Sequence, residues 1–170
     1  MRDVLIPHPR TPCEAVDTLT VEVRRDAASS LSLRFRLTGD LTRLAIPPAT
    51  PARRTDGLWT HTCFEAFVAG PQAGYVEFNL SPSTAWAAYA FDDYRLGMRL
   101  LEVEAPGITV THDASQLEVA AVLSGLQPGP CRLGLSAVIE DQGGRLSYWA
   151  LAHPADDPDF HHPDSFTRAL

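Results

Sequence analysis

Cysteine is scarce in this sequence, and the cysteines present do not pair. Cys13, Cys63 and Cys131 are the three among 170 residues. They lie far apart, are odd in number and form no CxxC pair, which leaves neither a disulfide framework nor a zinc or redox motif. All three are therefore expected to be reduced thiols, buried as small apolar side chains. Long apolar runs are missing as well. No stretch is long enough to span a bilayer, and Val4-Leu5-Ile6 is too short for a secretory leader and is broken by Pro7 and Pro9. The expected location is cytoplasmic. An excess of positive charge is also absent: the formal net charge is −7 and the arginines are scattered, so neither nucleic acid nor a membrane surface is expected as a partner. A neutral or weakly charged ligand fits better. There is no GxSxG elbow, HExxH helix or P-loop, and no repeat, low-complexity tract or linker that would divide the chain. Residues 1–170 read as one domain, a size that buries roughly two-thirds of its unfolded surface without needing a bridge or a metal.

What is present is a period of two. In Leu19-Thr20-Val21-Glu22-Val23-Arg24 and Leu31-Ser32-Leu33-Arg34-Phe35-Arg36-Leu37, apolar and polar residues alternate as a strand with one buried face requires. Similar runs cover residues 41–46, 63–68, 75–80, 85–91, 108–112, 116–123, 132–140 and 145–151, separated by turn signals such as Thr38-Gly39-Asp40, Gly70-Pro71 and Gly143-Gly144. About ten short strands and very little helix predict an all-β fold, a two-sheet antiparallel β-sandwich of jelly-roll-like form. One helical turn is expected at Thr11-Pro12-Cys13-Glu14, which carries an N-cap threonine, a proline at the first helical position and a glutamate three residues after the cap. The Pro-rich stretch from Ile46 to Arg54 cannot supply a central strand and reads as a long ordered loop.

Polar residues in unexpected places single out the segment from Asp56 to Met98. Alternation puts Glu65 on the same face as Cys63 and Phe67, and puts Glu77 and Asn79 on the face of Tyr75. If the two runs pair through the turn at residues 70–74, their polar stripes fall side by side. Two carboxylates so placed repel, so a ligand hydroxyl, a cation or an arginine such as Arg95 should lie between them. Aromatic plates beside acceptors and donors suit a sugar, and Trp59, Trp86, Trp149, Tyr75 and Tyr89 are available as plates. An ordinary solvated sheet face would carry the same residues. Paired carboxylates can also hydrolyse glycosides, although nothing in the sequence places a scissile bond between these two. Near the C-terminus, His153 to Asp164 is rich in imidazole and carboxylate but lacks zinc-like spacing. Calcium could find oxygens at Asp156, Asp157 and Asp159, while a polar loop packed by Phe160 and Phe166 is the simpler reading.

These residues also carry a resemblance. The run Asp56-Gly57-Leu58-Trp59-Thr60-His61-Thr62-Cys63-Phe64-Glu65, followed by Tyr75-Val76-Glu77-Phe78-Asn79-Leu80-Ser81-Pro82-Ser83 and Trp86-Ala87-Ala88-Tyr89, is similar to the DOMON-like proteins of bacteria and to carbohydrate-binding modules of family 9. The ending from Pro158 to Phe166 resembles the same group. The resemblance implies a β-sandwich that binds a sugar between two tryptophans without catalysis. Trp59 keeps the family's spacing of six residues to Glu65, and Trp149 is the counterpart implied for the second tryptophan. Asn79 matches the asparagine of an Arg-x-Asn pattern, whereas Glu77 stands where that pattern has a cation. The ligand-binding set is thus Trp59, Glu65, Glu77, Asn79, Trp149 and Arg95, with a small carbohydrate as ligand and no cofactor. Haem-binding relatives imply an alternative in which Met98 and a histidine are axial ligands. An interaction domain without a small ligand is the remaining alternative.

Overall fold

The alternating runs build the longest ladder of the protein. In the computed structural model, which describes residues 2–170, strand β2 (Val16–Ala27) pairs antiparallel with β3 (Ser30–Gly39). Leu19, Val21 and Val23 lie opposite Leu37, Phe35 and Leu33, and all six are buried. The other strands are β1 (Arg2–Pro7), β4 (Cys63–Ala69), β5 (Tyr75–Leu80), β6 (Trp86–Phe91), β7 (Arg99–Leu100), β8 (Thr109–His112), β9 (Gln116–Leu123), β10 (Arg132–Glu140), β11 (Leu146–Ala150) and β12 (Arg168–Ala169). Among the described residues helix is confined to three short 3-10 turns.

The fold is all-β and antiparallel, but hydrogen bonding does not divide it into two sheets. The strands follow one path, β7-β6-β5-β4-β10-β11-β1-β2-β3-β9-β8, with β12 added beside β10. Strand β1 joins the halves: Arg2 to Leu5 pair with β2, while Ile6 and Pro7 pair with β11. The expected pair of sheets is therefore replaced by one sheet curled on itself like half a barrel. Its two halves still face each other across a core, where Phe35 of β3 and Phe64 of β4 are fully buried with ring centroids 5.1 Å apart.

Two local expectations change, and one further strand appears. Residues 41–46 form a 3-10 turn at Leu41–Arg43 rather than a strand, because the Asp40 side chain accepts the Thr42 amide and stops the extended chain. The helical turn expected at Thr11 does not form, since the Thr11 hydroxyl accepts the amide of Tyr148 instead of capping its own segment. Val4-Leu5-Ile6 is the central part of β1; Pro7 closes that strand, where its missing N–H costs no interior ladder bond. The Pro-rich segment remains a loop, tied to the start of β6 by backbone bonds between Arg53 and Trp86 and between Thr55 and Trp86. The three cysteines are free, with Cys63 and Cys131 buried and Cys13 half-buried.

The C-terminal segment positions the site. Beyond β11 the chain crosses the face of β4, β5 and β10 that points away from the core. There Phe166 stacks on Phe67 at 5.8 Å, and His161 meets Phe67 and Phe91 edge-on at 5.0 and 5.1 Å. Strands β4 to β6 are consequently buried on both faces. The close approach depends on Gly134 of β10, where an added Cβ would lie 2.5 Å from Cδ1 of Phe166. Gly134→Ala should push Phe166 off the sheet and cost about 1–3 kcal/mol. Chemical denaturation and limited proteolysis after residue 151 are the measurements; an alanine variant as stable and as protease-resistant as the parent would contradict this packing.

Candidate functional site

On the face beneath the C-terminal segment, five neighbouring strands line up a row of small and polar residues. Ala87 of β6 lies opposite Asn79 of β5, Asn79 opposite Glu65 of β4, Glu65 opposite Ser136 of β10 and Ser136 opposite Ala150 of β11. The next row holds Tyr89, Glu77, Phe67 and Gly134. Small side chains in one row and large ones beside it leave a hollow whose floor carries the acids. The cavity holds about 340 Å³ and is lined by Trp59, Glu65, Glu77 and Arg95, together with Tyr148, Phe91, Phe160, His161 and Met98. Clefts of about 590 and 860 Å³ elsewhere have no Trp, Tyr or Phe in their walls.

Each polar group of the floor has an identifiable support. Glu65 is 3% exposed and Glu77 5%, so neither belongs to a solvated sheet face. Asn79 donates to Glu77 Oε1 at 2.6 Å and accepts the Cys63 thiol at 3.5 Å. Ser136 donates to Glu65 Oε2 at 3.4 Å. His161 presents Nε2 to Glu77 Oε2 at 3.8 Å, while its Nδ1 shares a hydrogen bond of 2.7 Å with the Tyr75 hydroxyl. Arg95 pairs with Asp159 at 2.7 Å, and its positive φ of 55° turns the loop so that its amide donates to Tyr75. Trp59 sits on a 3-10 turn (Leu58–Thr60) after Gly57, whose left-handed φ of 73° suits glycine. It meets Tyr89 edge-on at 5.9 Å and remains 38% exposed at the mouth.

Burial sets the protonation of these groups. It raises the Glu65 carboxyl well above the carboxylate range; the charge of Glu77 adds to this and Ser136 opposes it. Burial pushes Glu77 up to about 7, against the hydrogen bond from Asn79 and the charge of Arg95. His161 is pulled down to about 4 by burial and then by Arg95, with Asp159 opposing. Near neutral pH the floor therefore holds a Glu77 close to its midpoint and a neutral imidazole, beside a Glu65 whose balance burial shifts toward the protonated form. Burial, with Glu65 adding to it, also holds the Cys63 thiol well above its ordinary value, and the group is inert as a nucleophile.

Four of the residues singled out from sequence, Trp59, Glu65, Glu77 and Arg95, line this one cavity. Asn79 is fully buried behind it and acts on Glu77 rather than on the cavity. Trp149 is a correction. It pairs with Ala137 on the core side of the sheet, is buried there, and spends its indole N–H on Ser147 Oγ at 3.0 Å. Strand parity gives the cavity its neighbour Tyr148 instead, a residue that period-two alternation could have indicated. Trp86 likewise faces the core, under the guanidinium of Arg54 at 4.3 Å. Tyr75 and Tyr89 belong to the site face but are buried by Phe91, His161 and Trp59. Phe160 and His161 were not foreseen as cavity walls, because nothing local in sequence says that the C-terminal segment folds back across β4.

Met98 and His161 stand on the walls of the same cavity, yet they do not suit an axial haem pair. Nδ1 of His161 is engaged by Tyr75 and its Nε2 faces Glu77, so neither nitrogen is presented to a metal. The acids considered for calcium are dispersed, with Asp157 paired to Arg10 and Asp159 to Arg95. Among the described residues no group of three or more His, Cys, Asp or Glu is placed to hold a metal ion.

No protein-family model and no curated protein matches the sequence. Solved structures match its fold. A protein from Bacteroides uniformis with a proposed carbohydrate-binding role superposes with a TM-score of 0.75 at 11% identity, over 100% of this chain and 85% of that one. A family 9 carbohydrate-binding module from Caldicellulosiruptor kristjanssonii in complex with glucose gives 0.59 at 7% identity, over 89% of this chain and 74% of that one. The corresponding structure in complex with cellotriose gives 0.60 at 7% identity, over 99% and 80%. The fold is thus that of the family 9 modules.

The buried carboxyls make stability depend on pH. A carboxyl raised from 4.5 to about 7 on folding binds its proton more tightly in the folded protein. Its contribution is therefore intact below about pH 4.5 and is lost as pH rises through about 7. Glu77→Gln keeps an acceptor for Asn79 and removes this loss. Measured by thermal denaturation from pH 4.5 to 8, the variant should gain on the parent by up to about 3 kcal/mol as pH rises to 7, with no further gain above. The rise contributed by His161 between about 4 and 6.5 is common to both proteins. Parallel curves would show that Glu77 is not held in a low-dielectric site.

Proposed function

We propose that the chain is a non-catalytic carbohydrate-binding domain whose ligand occupies the cavity over Glu65 and Glu77. One observation carries this reading: a cavity of about 340 Å³ combines the aromatic surfaces of Trp59 and Tyr148 with two buried carboxyl groups on its floor. Rings of this kind cover the C–H face of a pyranose, and carboxyl oxygens accept from its hydroxyls. The volume lies in the range of small-ligand sites, roughly 300–1,000 Å³. The likeness in fold to modules solved with glucose and cellotriose supports the same reading, while a narrower DOMON-like kinship rests on the sequence motifs alone. Binding is favoured over hydrolysis by the likeness in fold to modules solved with glucose and cellotriose.

A second reading, an interaction domain, is favoured by Leu96, Met98 and Leu100, which are exposed along the edge beside the cavity mouth. Calorimetric titration with a panel of neutral and amino sugars separates the two. Saturable binding of at least one sugar is expected. Trp59→Ala should weaken it by about 1–3 kcal/mol with the melting temperature nearly unchanged, whereas Trp149→Ala should mainly cost stability, by about 3–5 kcal/mol. Failure of every sugar to bind, or binding that Trp59→Ala leaves intact, would overturn the proposal.

A further inference from the structure

We infer that the ligand of this cavity carries a protonated amine, as an amino sugar does, with its ammonium group seated between Glu65 and Glu77. The inference rests on reading the cavity as a sugar site and adds the charge of the sugar. It starts from carboxyl oxygens that the protein leaves free. Among the described residues, Oε1 of Glu65 has no hydrogen-bond partner, and Oε2 of Glu77 has only the His161 ring at 3.8 Å. Both side chains are at least nine-tenths buried and both line the cavity.

Among the described residues no cation bonds these oxygens. Arg95, which lines the same cavity, is committed to Asp159 at 2.7 Å, and burial keeps the His161 imidazole neutral. A sugar hydroxyl offers one hydrogen to an acceptor and no charge, so with a neutral sugar the two acids avoid mutual repulsion only by staying protonated. An ammonium group offers three N–H donors and a full positive charge, which permits both carboxyls to ionise and bonds each by a charge-assisted hydrogen bond. The aromatic faces of Trp59 and Tyr148 favour a cation as well, and the net charge of −7 draws one in. This revises the neutral ligand expected from composition.

The test compares sugars that differ in one group. Isothermal titrations at a pH of about 6.5, where a sugar amine is protonated, would use glucosamine, galactosamine and mannosamine, each against its neutral parent, with cyclohexylamine as a cation lacking hydroxyls. At least one amino sugar should bind ten-fold or more tighter than its parent. Glu77→Gln should bring that ratio most of the way back to one, and Glu65→Gln is read in parallel so that misfolding of either variant leaves the test intact. Equal affinity for amine and parent, or a preference for the parent, overturns the inference and leaves the sugar site standing. Cyclohexylamine bound as tightly as the best amino sugar supports the cation and overturns the sugar reading. No binding by any probe overturns both.

Discussion

The hydrogen bond from Asn79 to Glu77 is the constraint on which the site depends. It holds a carboxyl group against the floor of a cavity that the C-terminal segment helps to wall. A buried carboxyl without such a partner costs several kcal/mol and would neutralise or drive its surroundings apart. Here one oxygen is satisfied from behind and the other is left to face the cavity. The same division recurs at Glu65, supported by Ser136 on one oxygen only. The sheet thus acts as a rigid mount: backbone pairing fixes the two acids on neighbouring strands, and side chains of the same face fix their rotamers.

That mount explains why the chain closes over its own sheet. Strand β4 has apolar residues on both faces, with Phe64 and Ala66 toward the core and Phe67 toward the C-terminal segment. A strand with two apolar faces needs cover on both sides. Phe160 and Phe166 provide it, and in doing so raise the walls of the cavity. The order of events along the chain is therefore reversed in space: the last ordered loop completes a site begun at Trp59.

Much of this was legible in the sequence, and the part that was not has a physical reason. Alternation located β2, β3, β4, β5 and β9 and placed Glu65, Glu77 and Asn79 on one face, because a period of two is a local property that a single strand reveals. The joining role of β1 was hidden, since whether a short apolar run ending at a proline pairs with two different strands depends on tertiary closure. The curl of one continuous sheet was hidden for the same reason. Trp149 was assigned to the site through strand order, and parity within β11 was the better guide: Tyr148 faces the acids and Trp149 the core. The sign of the site's charge was legible at Glu77, where the resemblance implies a cation and this sequence has an acid. Its consequence emerged only once Arg95 was found paired with Asp159.

The central claim is that two carboxyl groups share one low-dielectric floor. Carboxyl-carbon NMR of protein labelled at glutamate reads it directly, followed from pH 4 to 9. Glu77 should titrate with a midpoint near 7 and Glu65 well above the ordinary glutamate range. If both resonances titrate together in the ordinary glutamate range, about 4 to 5, the floor is open to water and the account of the site fails.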